Sequence, residues 1–562
     1  MHTVEIVLLL LMLGAVSGLA ARWLRAVPLP LLQVALGAAL SWPDAGLHVR
    51  FDPELFLLLF IPPLLFADGW RIPKREFFAL RRPILTLALG LVAFTVLGLG
   101  WFMHWMIPGL PLTVAFALAA VLSPTDAVAV GAITRRLGMP EQTMHILEGE
   151  SLLNDASGLV ALKFAVAATL TGAFSWAEAG RSFVWIAAGG VAVGAAAGWG
   201  FAAARAAITR RIGDDAATQT VLLLLLLPFA AYLLGEHLGV SGILAAVAAG
   251  IATNFADLER SEFVDERLQA HGAWAMVESA FNGAIFLLLG LQLPGILVGG
   301  LTQGPYVWWE LVGYVLAITA ALVLLRGLWL VLGVRRALAA ARLHGRPAAP
   351  PTPRLLAATA LAGIRGAITL AGALSVPLLL PDGSPFPARE LLIFLSMGVI
   401  LATLVAGSIG LPLLLRGLPQ AAEPPHAREE RLARIVACEA AIAALAAADG
   451  SAGGDAAGQA LREESSGRVA RGYRRRIETL EDDTDDGAEG AAEERAARRR
   501  GHVIELELRL AGLHAERGAL YRLRRAHRIN DDTLRALVQE VDLSEVSLRQ
   551  RLEAARRAVA RG

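Results

Sequence analysis

The chain contains thirteen apolar runs, and this feature decides what it can fold into. A helix needs about 20 apolar residues to cross a hydrocarbon core of roughly 30 Å, and most of the runs approach or exceed that length. With 56% hydrophobic and only 18% charged residues among 562, a soluble globular enzyme is excluded. The runs lie near residues 4–20, 28–42, 53–69, 84–107, 112–137, 143–172, 182–208, 216–235, 240–254, 272–293, 305–333, 353–378 and 388–416.

The charged residues divide the chain into two parts. Residues 1–420 hold 50 of them and residues 421–562 hold 51. We therefore predict a transmembrane domain over 1–418 and a cytoplasmic helical or coiled-coil tail over 419–562, with a flexible linker near 449–500. Neither part has a basic excess, so nucleic acid is not an expected partner, whereas the lipid bilayer is.

The basic residues of the predicted loops indicate the orientation. If the N-terminus is outside, the loops predicted inside carry 19 Lys and Arg and those predicted outside carry 3. The first run lacks a basic leader, and Arg22 and Arg25 follow it, so we interpret it as a retained span. These counts predict a multi-pass protein of the plasma (inner) membrane with a cytoplasmic tail.

Several charged residues lie inside the apolar runs, where each costs several kcal/mol unless it has a partner or a function. Counted from the cytoplasmic ends, three share the middle of the bilayer, namely Asp126, Asp155 and Arg365. Three others lie half a leaflet nearer the cytoplasm, namely Glu150, Glu278 and Arg326. The shared depth predicts an ion pair between Glu150 and Arg326, with Arg365 near the level of the two aspartates.

Two of the runs contain helix breakers beside a charge. The fifth has Ser-Pro-Thr-Asp at 123–126, and the twelfth has Gly-Ile-Arg-Gly at 363–366. Interrupted helices in corresponding positions of two halves are typical of transporters with inverted repeats. We therefore predict an all-α polytopic fold of about thirteen transmembrane helices. Runs 1–6 and 8–13 would be inverted repeats of six, with discontinuous helices crossing at the midplane.

The sixth run has the densest set of polar groups, Glu-Gly-Glu-Ser-Leu-Leu-Asn-Asp at 148–155. Ser151 and Asp155 are four residues apart and therefore share a helix face. With Asp126 and the Thr125 carbonyl they supply only oxygen ligands, which suit a hard monovalent cation. The His and Cys spacings of zinc motifs and the carboxylate spacing of calcium loops are missing.

These motifs, together with Gly-Ile-Arg-Gly-Ala at 363–367, resemble the cation:proton antiporters, specifically the sodium/proton exchanger branch and its bacterial members. The resemblance covers nearly all of residues 1–416. It implies a homodimeric exchanger of sodium ions and protons that needs no cofactor. A core domain would move as an elevator past a dimerisation domain.

The resemblance also implies roles for individual residues. Asp155 would carry the ion and the proton, with Asn154 beside it, and the sodium ion would be held by Asp126, Ser151 and Asp155 together with Thr125. An Asn-Asp pair is associated with electroneutral one-for-one exchange. Glu150 and the arginine of the eleventh run, Arg326, resemble the family's structural ion pair, with Arg365 and Glu278 as supporting charges.

The chain departs from many relatives at two places. Ala127 stands where they have proline, and Phe-Ala-Asp at 66–68 replaces Phe-Glu-Ala. The Asp68 carboxylate is thus displaced by one position, and we leave it out of the predicted core site.

Burial favours a protonated carboxyl and a nearby cation favours the carboxylate, so a proton and a sodium ion would exclude each other at Asp155. Alternatives remain at this point. Potassium/proton exchange would use the same oxygen ligands, and a receptor or scaffold would use the polar cluster only structurally. An intramembrane hydrolase could use Ser151, Ser157 and His145, but no nucleophile motif accompanies them.

Overall fold

A computed structural model describes most of the chain, and its described residues are almost entirely helical. The only β pairing among them is one antiparallel bridge between Leu379 and Pro385. Two compact units are present, Met1–Leu418 and Pro419–Gly562. The described residues are 2–23, 27–41, 53–134, 137, 139–171, 176–212, 216–256, 264–302, 306–344, 350–416, 425–450, 456–481, 489–526, 528 and 531–561.

The first unit consists of seventeen helices among the described residues, and each of the thirteen apolar runs coincides with a helix or with a broken helix. The π-helical segment Thr86–Leu91 directly connects the helices Arg81–Leu85 and Val92–Met106. The helices are α1 His2–Trp23, α2 Leu29–Ser41, α3 Pro53–Arg71, α4 Lys74–Ala79, α5 Arg81–Leu85, α6 Val92–Met106, α7 Leu112–Leu122, α8 Ala127–Thr134, α9 Glu141–Thr171, α10 Trp176–Ile212, α11 Ala217–His237, α12 Gly242–Ala256, α13 Val264–Thr302, α14 Trp308–Leu343, α15 Pro353–Leu361, α16 Ala367–Leu374 and α17 Arg389–Leu415.

Seven helical stretches in the described part are long and apolar enough to cross a membrane, and the bent pair α7–α8 would add an eighth. Thirteen crossings and the inverted repeats therefore remain predictions. The inside and outside assignment also remains one, since several of its loop arginines lie outside the described residues. The seven stretches are Arg81–Met106, Glu141–Thr171, Val184–Ile208, Ala217–His237, Leu268–Gly295, Trp308–Leu343 and Arg389–Leu415.

Small residues let helices of this unit approach closely. Gly37 on α2 and Gly290 on α13 face each other, and a Cβ added to either would lie 2.1 Å from a backbone oxygen of the other helix. Close backbone contact is how helices pack in a bilayer, where lipid removes the hydrophobic drive for their association. Apolar side chains such as Trp105 and Leu324 instead point outward, as lipid-facing residues do.

Both predicted helix breaks are present. α7 and α8 are bent by 42° across residues 123–126, and residues 362–366 separate α15 from α16. Pro124 cannot donate a backbone hydrogen bond, and the two glycines at 363 and 366 do not favour continued helix, so both helices end there. Both breaks pack near α9 and α17 in the interior of the unit.

The second unit contains four helices among the described residues. They are α18 Pro425–Gly450, α19 Ala456–Glu481, α20 Glu489–Arg525 and α21 Asp531–Arg561. The segment predicted as a flexible linker near 449–500 is instead mainly helical where it is described. Alanine, glutamate and arginine dominate that stretch and favour a helix even without an apolar stripe. α18 packs on α19, and α20 on α21.

Apolar residues follow a heptad spacing in α21, at Val541, Leu548 and Leu552. Glu545 interrupts this pattern, yet it is buried, as Val541 and Leu552 are. Arg517 on α20 donates to its carboxylate, and the His514 ring lies 3.1 Å from it. These hydrogen bonds, first that of Arg517, lower the pKa of Glu545. A polar residue at a buried heptad position can fix the register of two helices, and Glu545 is held from the partner helix in this way.

We expect Glu545→Ala to loosen the pairing of α20 and α21, because Arg517, His514 and Arg549 would then face one another without the carboxylate. Hydrogen exchange of the α20 and α21 amides in the full chain should become several-fold faster. Glu553, an exposed tail glutamate, provides the matched Glu→Ala control. Because the folded-state pKa of Glu545 is lowered, its contribution to stability is fully present above the unfolded pKa of about 4.3 and is lost as the pH falls from there through the lower folded-state pKa. Unchanged hydrogen exchange of these amides in the Glu545→Ala variant would contradict this role.

Candidate functional site

The two broken helices contact each other at their breaks. The Asp126 backbone N–H donates to the Ile364 carbonyl at 2.8 Å. From the other break, Arg365 Nη1 donates to the carbonyls of Ser123 and Pro124 at 2.6 and 2.7 Å. Those carbonyls follow the end of α7, where the intrahelical donors stop and partial negative charge accumulates. The buried guanidinium therefore satisfies the end of one broken helix from within the other.

Asp126 serves the opposite helix ends. Its Oδ1 accepts a hydrogen bond from the Ala129 N–H at 2.9 Å and thereby caps the start of α8. Its Oδ2 lies against Gly366, where an added Cβ would come within 2.0 Å. Gly366 directly precedes α16, so the carboxylate lies beside the starts of both α8 and α16, where helix dipoles favour negative charge.

Two residues of α9 fasten that helix to the first break. Ser151 Oγ donates to the Thr125 carbonyl at 2.8 Å and accepts from the Ala127 N–H at 3.3 Å. Asn154 Nδ2 donates to Thr125 Oγ1 at 2.8 Å. The Asn154 amide oxygen is buried and has no hydrogen-bond partner among the described residues. These bonds position the next residue of α9, Asp155, beside the break.

The Asp155 side chain is buried, with 4% of the residue exposed. In the described part of the chain, no hydrogen bond or ion pair holds its carboxylate. Asp68 and Asp126 lie within electrostatic range of it. The residue lines an open cleft whose polar walls include Asp68, Thr125, Asp126, Ser151, Asp155, Glu278, Asn282 and Thr369.

The cleft thus brings together four of the residues predicted to hold the ion. Thr125, Asp126, Ser151 and Asp155 line it, and Asn154 lies behind Thr125. Carboxylate, hydroxyl and carbonyl oxygens are the groups that replace the water shell of a small cation. A hydrolase would activate a nucleophilic serine by letting its hydroxyl donate to a general base. The Ser151 hydroxyl donates to the Thr125 carbonyl instead.

Glu150 and Arg326, whose depths predict a pair, are in contact. Arg326 Nη2 donates to Glu150 Oε2 at 2.7 Å, and a second bond joins Nη1 to Oε1. Arg326 Nε also donates to the Thr359 carbonyl at 3.0 Å. Both charged side chains are buried, so this fork joins α9, α14 and α15 within the core.

Two acidic residues have surroundings that the sequence did not indicate. Glu278 shares its predicted depth with Glu150 and Arg326, but it pairs with Arg71 on α3 and lines the cleft. Asp68, left out of the predicted site, lines the same cleft from α3. Its nearness to the usual position of the family's acidic residue in that helix was the one available signal.

The chain is similar in sequence to known membrane transporters. The sequence profile of the family described as sodium/hydrogen exchanger, transmembrane, matches residues 7–417. An uncharacterized Na(+)/H(+) exchanger of Escherichia coli is 46% identical over 554 residues, which cover 96% of this chain and 98% of that protein.

Two further matches bear on ion choice and on fold. A sodium, potassium, lithium and rubidium/H(+) antiporter of Bacillus pumilus is 47% identical over 410 residues, which cover 73% of this chain and 60% of that protein. The solved structure of a sodium proton antiporter from Methanocaldococcus jannaschii superimposes with a TM-score of 0.57 at 17% identity. That match covers 74% of this chain and 99% of the archaeal one, and it shows similarity of fold.

We expect Glu150→Ala to destabilise the first unit strongly, because Arg326 would remain buried without its carboxylate. Losing one partner of a buried ion pair typically costs about 3–5 kcal/mol. The matched control is Lys163→Ala, which removes the half-exposed Lys163–Glu236 pair and should cost under about 1 kcal/mol. Thermal unfolding in detergent measures both, and equal losses of stability would refute the distinction.

Proposed function

We propose that this chain, which belongs to the sodium/hydrogen exchanger family, exchanges sodium, and also lithium, for protons across the membrane that it spans. The family is one of transporters and not of enzymes. The observation that carries the proposal is the Asp155 carboxylate, buried beside two crossed helix breaks and held by no partner in the described part of the chain. It lines an open cleft and is therefore accessible to an ion.

The coupling follows from the chemistry of one carboxyl group. Burial favours the neutral, protonated Asp155, and a bound cation favours the charged form. Binding of either ion therefore displaces the other. Asp126, Asn154, Ser151 and Thr125 would complete the oxygen shell, since all four are arranged around the break that Asp155 faces.

Alternating access would convert the competition of a proton and a cation for Asp155 into exchange of the two ions across the membrane. An empty, charged Asp155 is costly to carry through a low-dielectric barrier, whereas the protonated or cation-loaded group is close to neutral. Only loaded states would cross, by movement of one bundle of helices past another. One carboxylate carrying one proton or one monovalent cation gives electroneutral one-for-one exchange.

The setting that we propose is a homodimer in the plasma (inner) membrane, with the N-terminus outside and the tail in the cytoplasm. The sequence supports the orientation through the 19 to 3 division of basic residues between the two sets of loops.

Potassium/proton exchange is the second candidate. It is favoured by the similarity to a Bacillus pumilus protein whose name includes sodium, potassium, lithium and rubidium. Everted membrane vesicles given each cation in turn separate the candidates, because collapse of an imposed proton gradient reports which ions exchange.

We predict that Asp155→Asn abolishes cation-dependent proton movement in proteoliposomes while the protein still inserts. Asparagine keeps the size of the side chain but can neither carry the proton nor provide the negative charge. Asp382→Asn, a change at an exposed turn outside the cleft, is the control and should retain normal exchange. Exchange by the Asp155 variant at the normal rate would overturn the assignment.

We also predict that sodium and protons compete in the kinetics. As the pH on the sodium side falls and the carboxyl becomes mostly protonated, the apparent KM for sodium should rise by about tenfold per pH unit. The maximal rate at saturating sodium should stay nearly constant over that range. A falling maximal rate with an unchanged KM would indicate separate binding sites.

A further inference from the structure

Many helical threonines of this protein donate their hydroxyl to a carbonyl of their own helix. Seven donate to the carbonyl four residues earlier, at 2.7 to 2.9 Å, which is how a helical threonine satisfies its hydroxyl without a tertiary contact. They are Thr134, Thr169, Thr171, Thr220, Thr253, Thr319 and Thr359.

Thr369 on α16 differs from all seven. Only 1% of the residue is exposed, and its Oγ1 has no hydrogen-bond partner among the described residues. The residue four positions earlier is Arg365, which lies inside the break. Gly366, between Arg365 and α16, has φ −136° and ψ −148°, so the backbone is not helical there and the Arg365 carbonyl does not occupy the i−4 position of a helix.

A buried hydroxyl without a partner costs free energy, and such groups call for an explanation. Ser396 and Trp274 also have unpartnered buried polar atoms, but neither residue lines the cleft. Thr369 does line it, together with Asp155. The break that removes its helical acceptor is the break that forms the cleft.

We propose that Thr369 is a ligand of the transported cation and sets its affinity, an inference that rests on the proposed function. A small monovalent cation that sheds its water requires neutral oxygens besides the carboxylate. The Thr369 hydroxyl would add one from α16, which lines the same cleft as the residues of α9 and the first break. The amide oxygen of Asn154, the residue before Asp155, is a second buried neutral oxygen without a hydrogen-bond partner in the described part of the chain.

A cation ligand at Thr369 should affect the apparent KM for the cation and not the maximal rate of exchange. Thr369→Val removes the hydroxyl at nearly constant volume, and Thr369→Ser keeps it. In proteoliposomes, the apparent KM of the valine variant for sodium should rise roughly tenfold, as for loss of one polar contact. Its maximal rate at saturating sodium should stay within about twofold of wild type, and the serine variant should restore the KM.

Thr253→Val is the matched control, because Thr253 is equally buried but donates to Ala249 at 2.8 Å, away from the cleft. Its KM should equal that of wild type. A wild-type KM in Thr369→Val for sodium, lithium and potassium would overturn the proposal. So would a serine variant as defective as the valine variant, since volume and not the hydroxyl would then matter.

Direct binding separates this inference from the proposed function. Sodium should raise the melting temperature of the purified wild-type protein, and Thr369→Val should need about tenfold more sodium for the same rise. If wild type binds sodium in this way but does not exchange it, the proposed function fails and the ligand assignment stands. If wild type exchanges sodium and the variant's titration is unchanged, only the ligand assignment fails. If no cation changes the melting temperature, the ligand assignment is overturned.

Discussion

The contact between two helix breaks is the constraint on which the rest of the site depends. A helix interrupted inside a membrane leaves carbonyls and amides that lipid cannot satisfy. Here each break satisfies the other, through Arg365 on the carbonyls of Ser123 and Pro124 and through the Asp126 N–H on Ile364. Because irregular backbone is tolerated only where it is buried or lines a cavity, the crossing fixes where a cleft can lie.

The charges near the crossing divide by what they contact. Arg365 and Asp126 neutralise helix ends, and Glu150 and Arg326 neutralise each other. Asp155 has no such partner in the described part of the chain, although a buried carboxylate is costly to leave alone. Arg365 lies within electrostatic range of Asp155 but is hydrogen-bonded to the carbonyls of the first break. A carboxylate without a direct partner can be compensated by a mobile ion, which is the physical basis for proposing Asp155 as the carrier.

The sequence predicted the helical fold and both breaks, because apolar length, proline and glycine act locally. Shared depth also predicted Glu150 with Arg326. The pairing of Glu278 with Arg71 could not be predicted in this way. Counting residues from the end of a span gives the height of a side chain in the membrane but not the direction in which it points. In the tail, acidic and glycine residues predict a linker near 449–500. Residues 451–455 and 482–488 of that segment lie outside the described residues, and the described remainder is helical because alanine, glutamate and arginine favour a helix.

Membership of a recognisable motif therefore does not decide which side chains remain without a hydrogen-bond partner. Thr125 and Ser151 belong to the recognisable motifs, yet they hydrogen-bond each other and so shape the wall of the cleft as well as offering oxygens to an ion. Asn154 and Thr369 each have a buried neutral oxygen without a hydrogen-bond partner in the described part of the chain. Thr369 follows a backbone break by three residues. The sequence shows which residues lie beside a helix break. Which of their polar groups lack a hydrogen-bond partner depends on the residue at which the helix begins again. The choice among cations of similar chemistry is expected to depend on those unmade bonds.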